Sequence, residues 1–306
     1  MLSPIVLFVY NRPSHTRYTV EALKQNQLAC ESDLFIFSDG PKSEADIFSV
    51  KEVRDYIKKV DGFKKIFTIE RERNYGLAAN IIDGVTNIIS RYGRAIVLED
   101  DLITSPFFLR FMNDALEFYK DEKRVWHISG FMVPIKNTSP ATTFFSKVMF
   151  CGGWATWKDR WVHFEKDPNK LIKIFTRRMR RDFNIDDSHN FFYQIKANYK
   201  GLLDTWAIFW YATIYLNNGL CLNPVRSFVK NIGMDGSGQH KVNARAYEVE
   251  LPPEYNIQFE TRVEENLYFR RLIADFYNSI KPSFTEVIYS AILSRFRRLK
   301  DKIKHR

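Results

Sequence analysis

Short apolar blocks alternate with helix-period segments through the first 131 residues, the pattern of a sheet of parallel strands covered by helices. Ile5 to Tyr10 reads as a first strand. Pro13 then stands where a first-turn proline belongs, and Thr16, Val20 and Leu23 follow at helical spacing. Leu34 to Phe37 is a second strand closed by the turn Ser38-Asp39-Gly40-Pro41, and Lys65 to Ile69 is a third. Leu77, Ile81, Val85, Ile88 and Ile89 share one helix face between Gly76 and Tyr92, with Gly93 as its stop. Ala95 to Leu98 is a buried strand that ends in Glu99-Asp100-Asp101. Ser105-Pro106 opens another helix, to about Tyr119, and Val125 to Ser129 is a further strand.

Beyond Phe131 the pattern loosens into aromatic-rich segments carrying Trp154, Trp157, Trp161, Trp206 and Trp210. Cys151-Gly152-Gly153-Trp154 reads as a lead into a helix, Asn231 to His240 as a Gly-rich loop, and the end of the chain as two helices. The expected division is a nucleotide-binding half at 1–131, an acceptor and catalytic half of the same domain at 132–250, and a helical extension at 251–306.

Composition narrows the picture. With 306 residues, 45% of them apolar and 15% aromatic, the chain buries a large core and is not a disordered segment. The net charge of +10 favours an anionic partner, but it is unevenly spread. Seven basic residues face only Asp301 between Arg295 and Arg306. There Ile288, Ile292, Phe296, Leu299 and Ile303 fall on one helix face, with Arg295, Arg298, Lys302 and Arg306 mostly away from it. Such a tail either lies on an anionic membrane or docks on its own domain.

The longest apolar stretch, Trp206 to Leu216, is short of the about twenty residues that cross a bilayer. No signal-peptide pattern opens the sequence, and Cys30, Cys151 and Cys221 form no pair that indicates a disulfide framework or a zinc site. A cytoplasmic protein is the expectation, with a peripheral place on the inner face of the cytoplasmic membrane as its extension.

Candidate chemistry centres on Glu99-Asp100-Asp101. Acids at the C-terminal end of a buried strand lie where open α/β sheets bind ligands. Neighbouring carboxylates suit a hard cation, Mn2+ or Mg2+, which bridges diphosphate oxygens. A solvated acidic turn is the plain alternative.

The ordered set Asn11-Arg12-Pro13, Ser38-Asp39-Gly40, Arg73-Asn74-Tyr75-Gly76-Leu77-Ala78 and Glu99-Asp100-Asp101 resembles that of GT-A fold glycosyltransferases. It is similar to bacterial family 2 sugar transferases and, at the acidic triplet, to N-acetylglucosaminyltransferase I. The resemblance covers residues 4 to about 240 and implies a Rossmann-like, mostly parallel central sheet flanked by helices, with an aromatic-rich acceptor half and a helical tail. It implies that Asn11, Arg12 and Asp39 contact the nucleoside and that Asn74 and Gly76 lie near ribose and sugar. Asp101 is then the metal ligand, and Asp100 contacts metal or ribose. Each has a bland reading beside it: a turn at Asp39, a surface charge at Arg12, a helix entry at Asn74 and Gly76.

In the second half, Gly152 and Gly153 let backbone approach a sugar, while Trp154 and Trp206 are acceptor-side aromatics or core. Asp204, an acid among Leu202, Leu203 and Trp206, reads as a desolvated general base or as a helix N-cap. Asp186-Asp187, in a polar stretch, is the weaker acidic pair. His240 matches the C-terminal metal-binding histidine of the family, and Lys230 and Lys241 flank its loop toward phosphate.

The implied activity is metal-dependent transfer from a nucleotide sugar, UDP-linked by default, to a hydroxyl of a glycan or lipid-linked glycan in bacterial surface polysaccharide synthesis. Inversion at the anomeric carbon goes with family 2. A nucleotidyltransferase shares the sheet and acids but usually has a Gly-rich basic signature near its start, which Asn11-Arg12-Pro13 is not. A non-catalytic basic protein binding RNA or acidic polysaccharide through Arg177, Arg178, Arg180 and Arg181 is the other alternative. No nucleic-acid motif supports it.

Overall fold

The computed structural model describes residues 2–233 and 244–281. The elements run β1 (Ile5–Val9), α1 (Pro13–Lys24), β2 (Asp33–Ser38), α2 (Ile47–Ile57), β3 (Lys65–Glu70), α3 (Leu77–Tyr92), β4 (Arg94–Glu99) and β5 (Leu102–Thr104). They continue through α4 (Phe108–Phe118), β6 (Val125–Ser129), β7 (Thr143–Ser146), β8 (Trp154–Trp157), α5 (Lys158–Trp161), α6 (Pro168–Ile174), α7 (Arg177–Phe183) and α8 (Phe192–Tyr199). The last are α9 (Ala207–Leu216), β9 (Leu220–Pro224), β10 (Val229–Asn231) and α10 (Leu267–Ser279).

Eight strands form one sheet in the order β3-β2-β1-β4-β8-β6-β9-β7. Four of the seven neighbour pairs are parallel, including all three within β3-β2-β1-β4, so the mostly parallel α/β architecture is found. Strand alternation sorts the core into two layers. Ile5, Leu7, Val9, Leu34, Ile36, Ile96 and Leu98 meet Val20, Leu23 and the α4 residues Phe108 to Leu116 on one face. Val6, Phe8, Phe35, Phe37, Ala95 and Val97 meet Ile81, Val85 and Ile88 of α3 on the other. Each such fully buried aliphatic side chain contributes about 1.5–3 kcal/mol relative to exposure, which locks α3 against the sheet by its predicted face. That helix ends at Gly93 in the left-handed conformation, φ 79°.

The aromatic half departs from expectation at residue 154. Instead of opening a helix, Trp154-Ala155-Thr156-Trp157 is a strand inserted between β4 and β6, antiparallel to both. All four residues are buried, so no alternation in the sequence marks it. Trp154 is 0% exposed and stacks on Trp206 at 5.1 Å, with Trp161 at 5.6 Å. The eleven-residue apolar run is α9 behind its N-cap residue Trp206, packed in the same layer. Among the described residues, no helix is long and apolar enough to cross a membrane. The tail from residue 282 onward lies outside the described residues.

The C-terminal segment is joined to this half by Arg270 of α10. Its guanidinium pairs with Asp182, Asp186 and Glu265 at 3.0 to 3.1 Å. Asp186 is thus an ion-pair partner in a structural network, and Asp187 follows it at φ 65°.

Candidate active site

The chain builds β2 and β3 on one side of β1 and then places β4 on the other side. That reversal is a topological switch point, where the loops leaving two adjacent strands part and open a crevice at their C-terminal ends. The loop after β1 carries Asn11 and Arg12, and β4 runs out into Asp100 and Asp101. Arg12 spans the gap. Its Nη2 donates to Asp100 Oδ1 and, at 3.1 Å, to Asp101 Oδ2. Asn11 instead donates to Asp46 Oδ1 at 2.7 Å, which ties the β1 loop to the turn before α2.

At the end of β2, Asp39 is buried and surrounded by donors. Its Oδ1 accepts from the backbone N–H of Gly40 at 2.9 Å and Tyr75 at 2.8 Å. Its Oδ2 accepts from Asn74 Nδ2 at 3.1 Å and the Gly76 N–H at 3.0 Å. A carboxylate offers about four acceptor positions, so protein donors fill this one. Asn74 also donates to the Gly40 carbonyl at 2.7 Å. Asp39, Asn74 and Gly76 are therefore brought together as one hydrogen-bonded unit that shapes the entry to α3. The Asp39 carboxylate faces this segment.

The acidic triplet is partly shielded from water, with Asp100 buried and Glu99 and Asp101 half-buried. Burial, followed by repulsion from Asp101 and Asp100, pushes Glu99 up to about 8, while an N–H of Trp206 and the Arg12 charge oppose the rise. Burial first of all raises Asp100, with Asp101 adding to the rise and Arg12 opposing it. One nitrogen, Arg12 Nη2, lies within hydrogen-bonding range of both Asp100 and Asp101, so a single cation position touches both carboxylates. Hard oxygen donors at such a position fit Mg2+ or Mn2+ with the remaining ligands from water or phosphate. Among the described residues no cluster of three His, Cys, Asp or Glu side chains surrounds a metal position.

The second half reaches this edge at several points. Cys151 feels the charges of Glu99 and Asp101, and burial first of all pushes its thiol up to about 12, which leaves it unreactive. Gly152 and Gly153 follow directly. A side chain on Gly152 would meet Phe131 Cβ at 2.8 Å, and Gly153 sits at φ 65° against Val229 and Phe108. These glycines are required by packing and backbone form. Trp154 and Trp206 lie inside, 0% and 2% exposed, so of the two readings, acceptor-side aromatics or core, the structure shows core: their rings stack on each other.

Asp204 also differs from its sequence reading. Its side chain is 67% exposed and ion-paired with Lys166, and the neighbouring Leu202 is 68% exposed, so the apolar neighbours do not desolvate it. Nor does it cap α9, whose N-cap residue is Trp206. It lies two residues from Trp206, which reaches Glu99. On the far side, Ile232 donates to the Asp101 carbonyl at 2.8 Å, and any side chain at Gly233 would overlap Asp101 Oδ2. Lys230 is exposed on β10 just before this approach. His240 and Lys241 lie outside the described residues.

Two features carried no sequence signal of their own. Glu99 was part of the acidic triplet, but only the packing of Trp206 and Cys151 around it distinguishes it from Asp100 and Asp101. Arg71, at the end of β3, donates to Asn80 at 3.1 Å and pairs with Asp83, and lies over the half-exposed ring of Tyr75 at 4.5 Å. Arg71 and Tyr75 border a recess of about 280 Å³ with Ile69, Glu70, Glu72 and Arg73, next to the unit held by Asp39.

No family model matches the sequence, and no curated protein matches it. Among solved structures, residues 1–349 of S. aureus TarS superpose at TM-score 0.44 with 10% identity, over 76% of this chain and 61% of that one. The same fragment in complex with UDP gives 0.42 and 12%, over 75% and 60%. The mannosyltransferase PcManGT from Pyrobaculum calidifontis, in complex with GDP-Man and Mn2+, gives 0.39 and 8%, over 71% and 70%. The chain thus spans about three fifths of the TarS fragment. Likeness at this level assigns no activity.

Proposed function

We propose that this chain is a metal-dependent glycosyltransferase that moves a sugar, with inversion, from a nucleoside-diphosphate donor to a hydroxyl of a glycan or lipid-linked glycan. The observation that carries the reading is the meeting of Arg12, Asp100 and Asp101 at the switch point, beside the unit Asp39-Asn74-Gly76. A crevice between parted loops, with paired carboxylates on one wall and a guanidinium on the other, suits a group carrying both phosphate and a divalent cation.

In this reading Asp101 and Asp100 hold the metal, with His240 as a further ligand. Bound there, Mn2+ or Mg2+ supplies charge to stabilise the departing diphosphate. Asn74 and Gly76, fixed by Asp39, form the wall beside ribose and sugar, and the recess between Arg71 and Tyr75 takes the edge of the nucleoside. Gly152 and Gly153 keep the opposite wall close. Asp204 is the base that removes the acceptor hydroxyl's proton, a role supported by its exposed carboxylate and its closeness in sequence to Trp206. Lys166, its ion-pair partner, orients the carboxylate. Glu99, held up by its surroundings, stands behind the two ligands as a group that ionises less readily than they do.

Polysaccharide synthesis at the inner membrane face, and binding there through the basic tail, extend the reading from sequence alone. The deciding experiment incubates the purified chain with UDP-, GDP-, dTDP- and CMP-linked sugars, with Mn2+ or EDTA, and measures release of the nucleotide. Metal-stimulated release from one donor class supports the assignment. Absence of release and of nucleotide binding across the panel overturns it.

A further inference from the structure

The Arg12 guanidinium occupies the position where a cation would meet both carboxylates. Among the described residues, both of its hydrogen bonds leave from Nη2, one to Asp100 and one to Asp101 at 3.1 Å. The three side chains are 23%, 6% and 18% exposed, so this is a partly shielded arrangement and not a solvated surface pair. Two adjacent carboxylates in such surroundings repel each other and need a counter-charge. The guanidinium supplies one from within the chain.

Among the described residues, those two carboxylates are the polar partners that hold the side chain in place. Arg12 is the N-cap residue of α1, but its side chain caps no helix N–H. Its backbone carbonyl accepts from Thr16 at 2.9 Å, and Pro13 fixes the first turn. The main chain is thus anchored by contacts that do not involve the side chain. A flexible cation on a fixed base can leave the carboxylates without disturbing α1.

We propose that Arg12 is a resident counter-ion that a divalent metal must displace, and that the displaced guanidinium then pairs with the donor's diphosphate. The inference rests on the metal and donor use proposed above. Its consequence is a built-in coupling. Without a nucleotide, metal entry at Asp100 and Asp101 costs the Arg12 ion pairs and brings two cations together. With a nucleoside diphosphate present, the guanidinium has a bidentate anionic partner and the carboxylates are released to the metal. Each ligand therefore raises the affinity for the other, in equal measure by linkage. Arg12 thereby discourages metal binding to the empty crevice.

The test is direct binding of Mn2+, read from the electron paramagnetic resonance of the free ion, on the full chain without nucleotide and then with saturating UDP. Arg12→Gln is expected to bind Mn2+ alone about tenfold more tightly than the unsubstituted protein. Arg12→Lys, which keeps the charge, stays near the unsubstituted protein. Asp101→Asn removes the tight site, both by itself and in combination with Arg12→Gln. UDP then strengthens Mn2+ binding by a larger factor in the unsubstituted protein than in Arg12→Gln. Equal or weaker Mn2+ binding by Arg12→Gln overturns the proposal, as does tight binding that survives Asp101→Asn. The two readings fail separately. Mn2+ affinity governed by Arg12 without any sugar transfer removes the glycosyltransferase assignment alone, whereas metal-stimulated transfer with an affinity indifferent to Arg12 removes only the counter-ion.

Discussion

The Gly76 N–H donates to Asp39 Oδ2 at 3.0 Å, joining the end of β2 to the first residue before α3 across 37 positions of sequence. Gly76 adopts φ 77° and ψ 154°, a backbone form almost confined to glycine, and that form turns its N–H toward the carboxylate. The relationship makes Asp39 the organiser of a wall of the crevice.

Asp39→Asn is therefore expected to act on stability as well as on ligand binding. One carbonyl oxygen replaces two carboxylate oxygens, and an NH2 faces backbone donors. A loss of about 2 kcal/mol follows from the unmet buried donors. Urea denaturation measures it, and unchanged stability with selectively weakened nucleotide binding would point to direct contact instead.

Two glycines of the same unit separate steric fit from backbone strain. Gly40→Ala places a methyl 2.5 Å from the Arg73 carbonyl carbon and 2.7 Å from its oxygen, against main chain that cannot rotate away. Gly76→Ala meets nothing within 4 Å but is held at φ 77°. Strain there costs about 1–3 kcal/mol. Both variants lose stability in urea, and the Gly40 variant also shifts the loop that carries Asn74, seen as altered protection of its amides in hydrogen exchange.

Asp204→Asn tests the base. The residue is exposed and caps no helix, so the variant keeps its circular dichroism and melting temperature. Turnover falls by about 10² or more while nucleotide binding persists. Normal turnover in Asp204→Asn removes the assignment.

His127 sets an acid limit on the fold. Buried completely, its Nδ1 accepts from Trp210 Nε1 at 3.2 Å, which leaves Nε2–H to donate to the Phe150 carbonyl at 3.0 Å. Burial, against a small opposing effect of that carbonyl, lowers it to about 3 from the ordinary 6.5. Between those values the unfolded chain binds a proton that the folded chain does not. This contribution to stability is complete above pH 6.5 and is lost as the pH falls, by about 2 kcal/mol at pH 5. His127→Gln flattens the stability profile between pH 5 and 7 in urea titrations, even though its stability at pH 7 is lower; an unchanged slope rejects the role.

The basic tail is tested by truncation after Ser283. At about 1 kcal/mol for each basic side chain near an anionic surface, the full chain sediments with anionic liposomes at low salt and the truncated one does not. Equal sedimentation of the two assigns the apolar stripe at Ile288 to Ile303 to packing.

Much of the architecture follows from local pattern. Ile5–Val9, Asp33–Ser38, Arg94–Glu99 and Val125–Ser129 are strands within a residue of their expected ends, because continuous apolar runs flanked by turns admit few other buried forms. Pro13 and Gly93 likewise mark helix ends through backbone geometry that belongs to the residue itself. The acidic triplet's place at a sheet edge was legible for the same reason. Tertiary structure alone decided the rest. Trp154–Trp157 joins a sheet rather than opening a helix because β4 and β6 leave it a slot, and Trp154 faces Trp206 instead of solvent. Asp204 stands in water although its neighbours are apolar, since Leu202 is exposed too. Asp39 is filled by residues 74–76, and Arg12 meets carboxylates 88 and 89 positions away. Local sequence specifies which conformation a segment favours. Which charge is desolvated, and by whom it is neutralised, depends on segments distant in the chain, and those meet only when the sheet has formed.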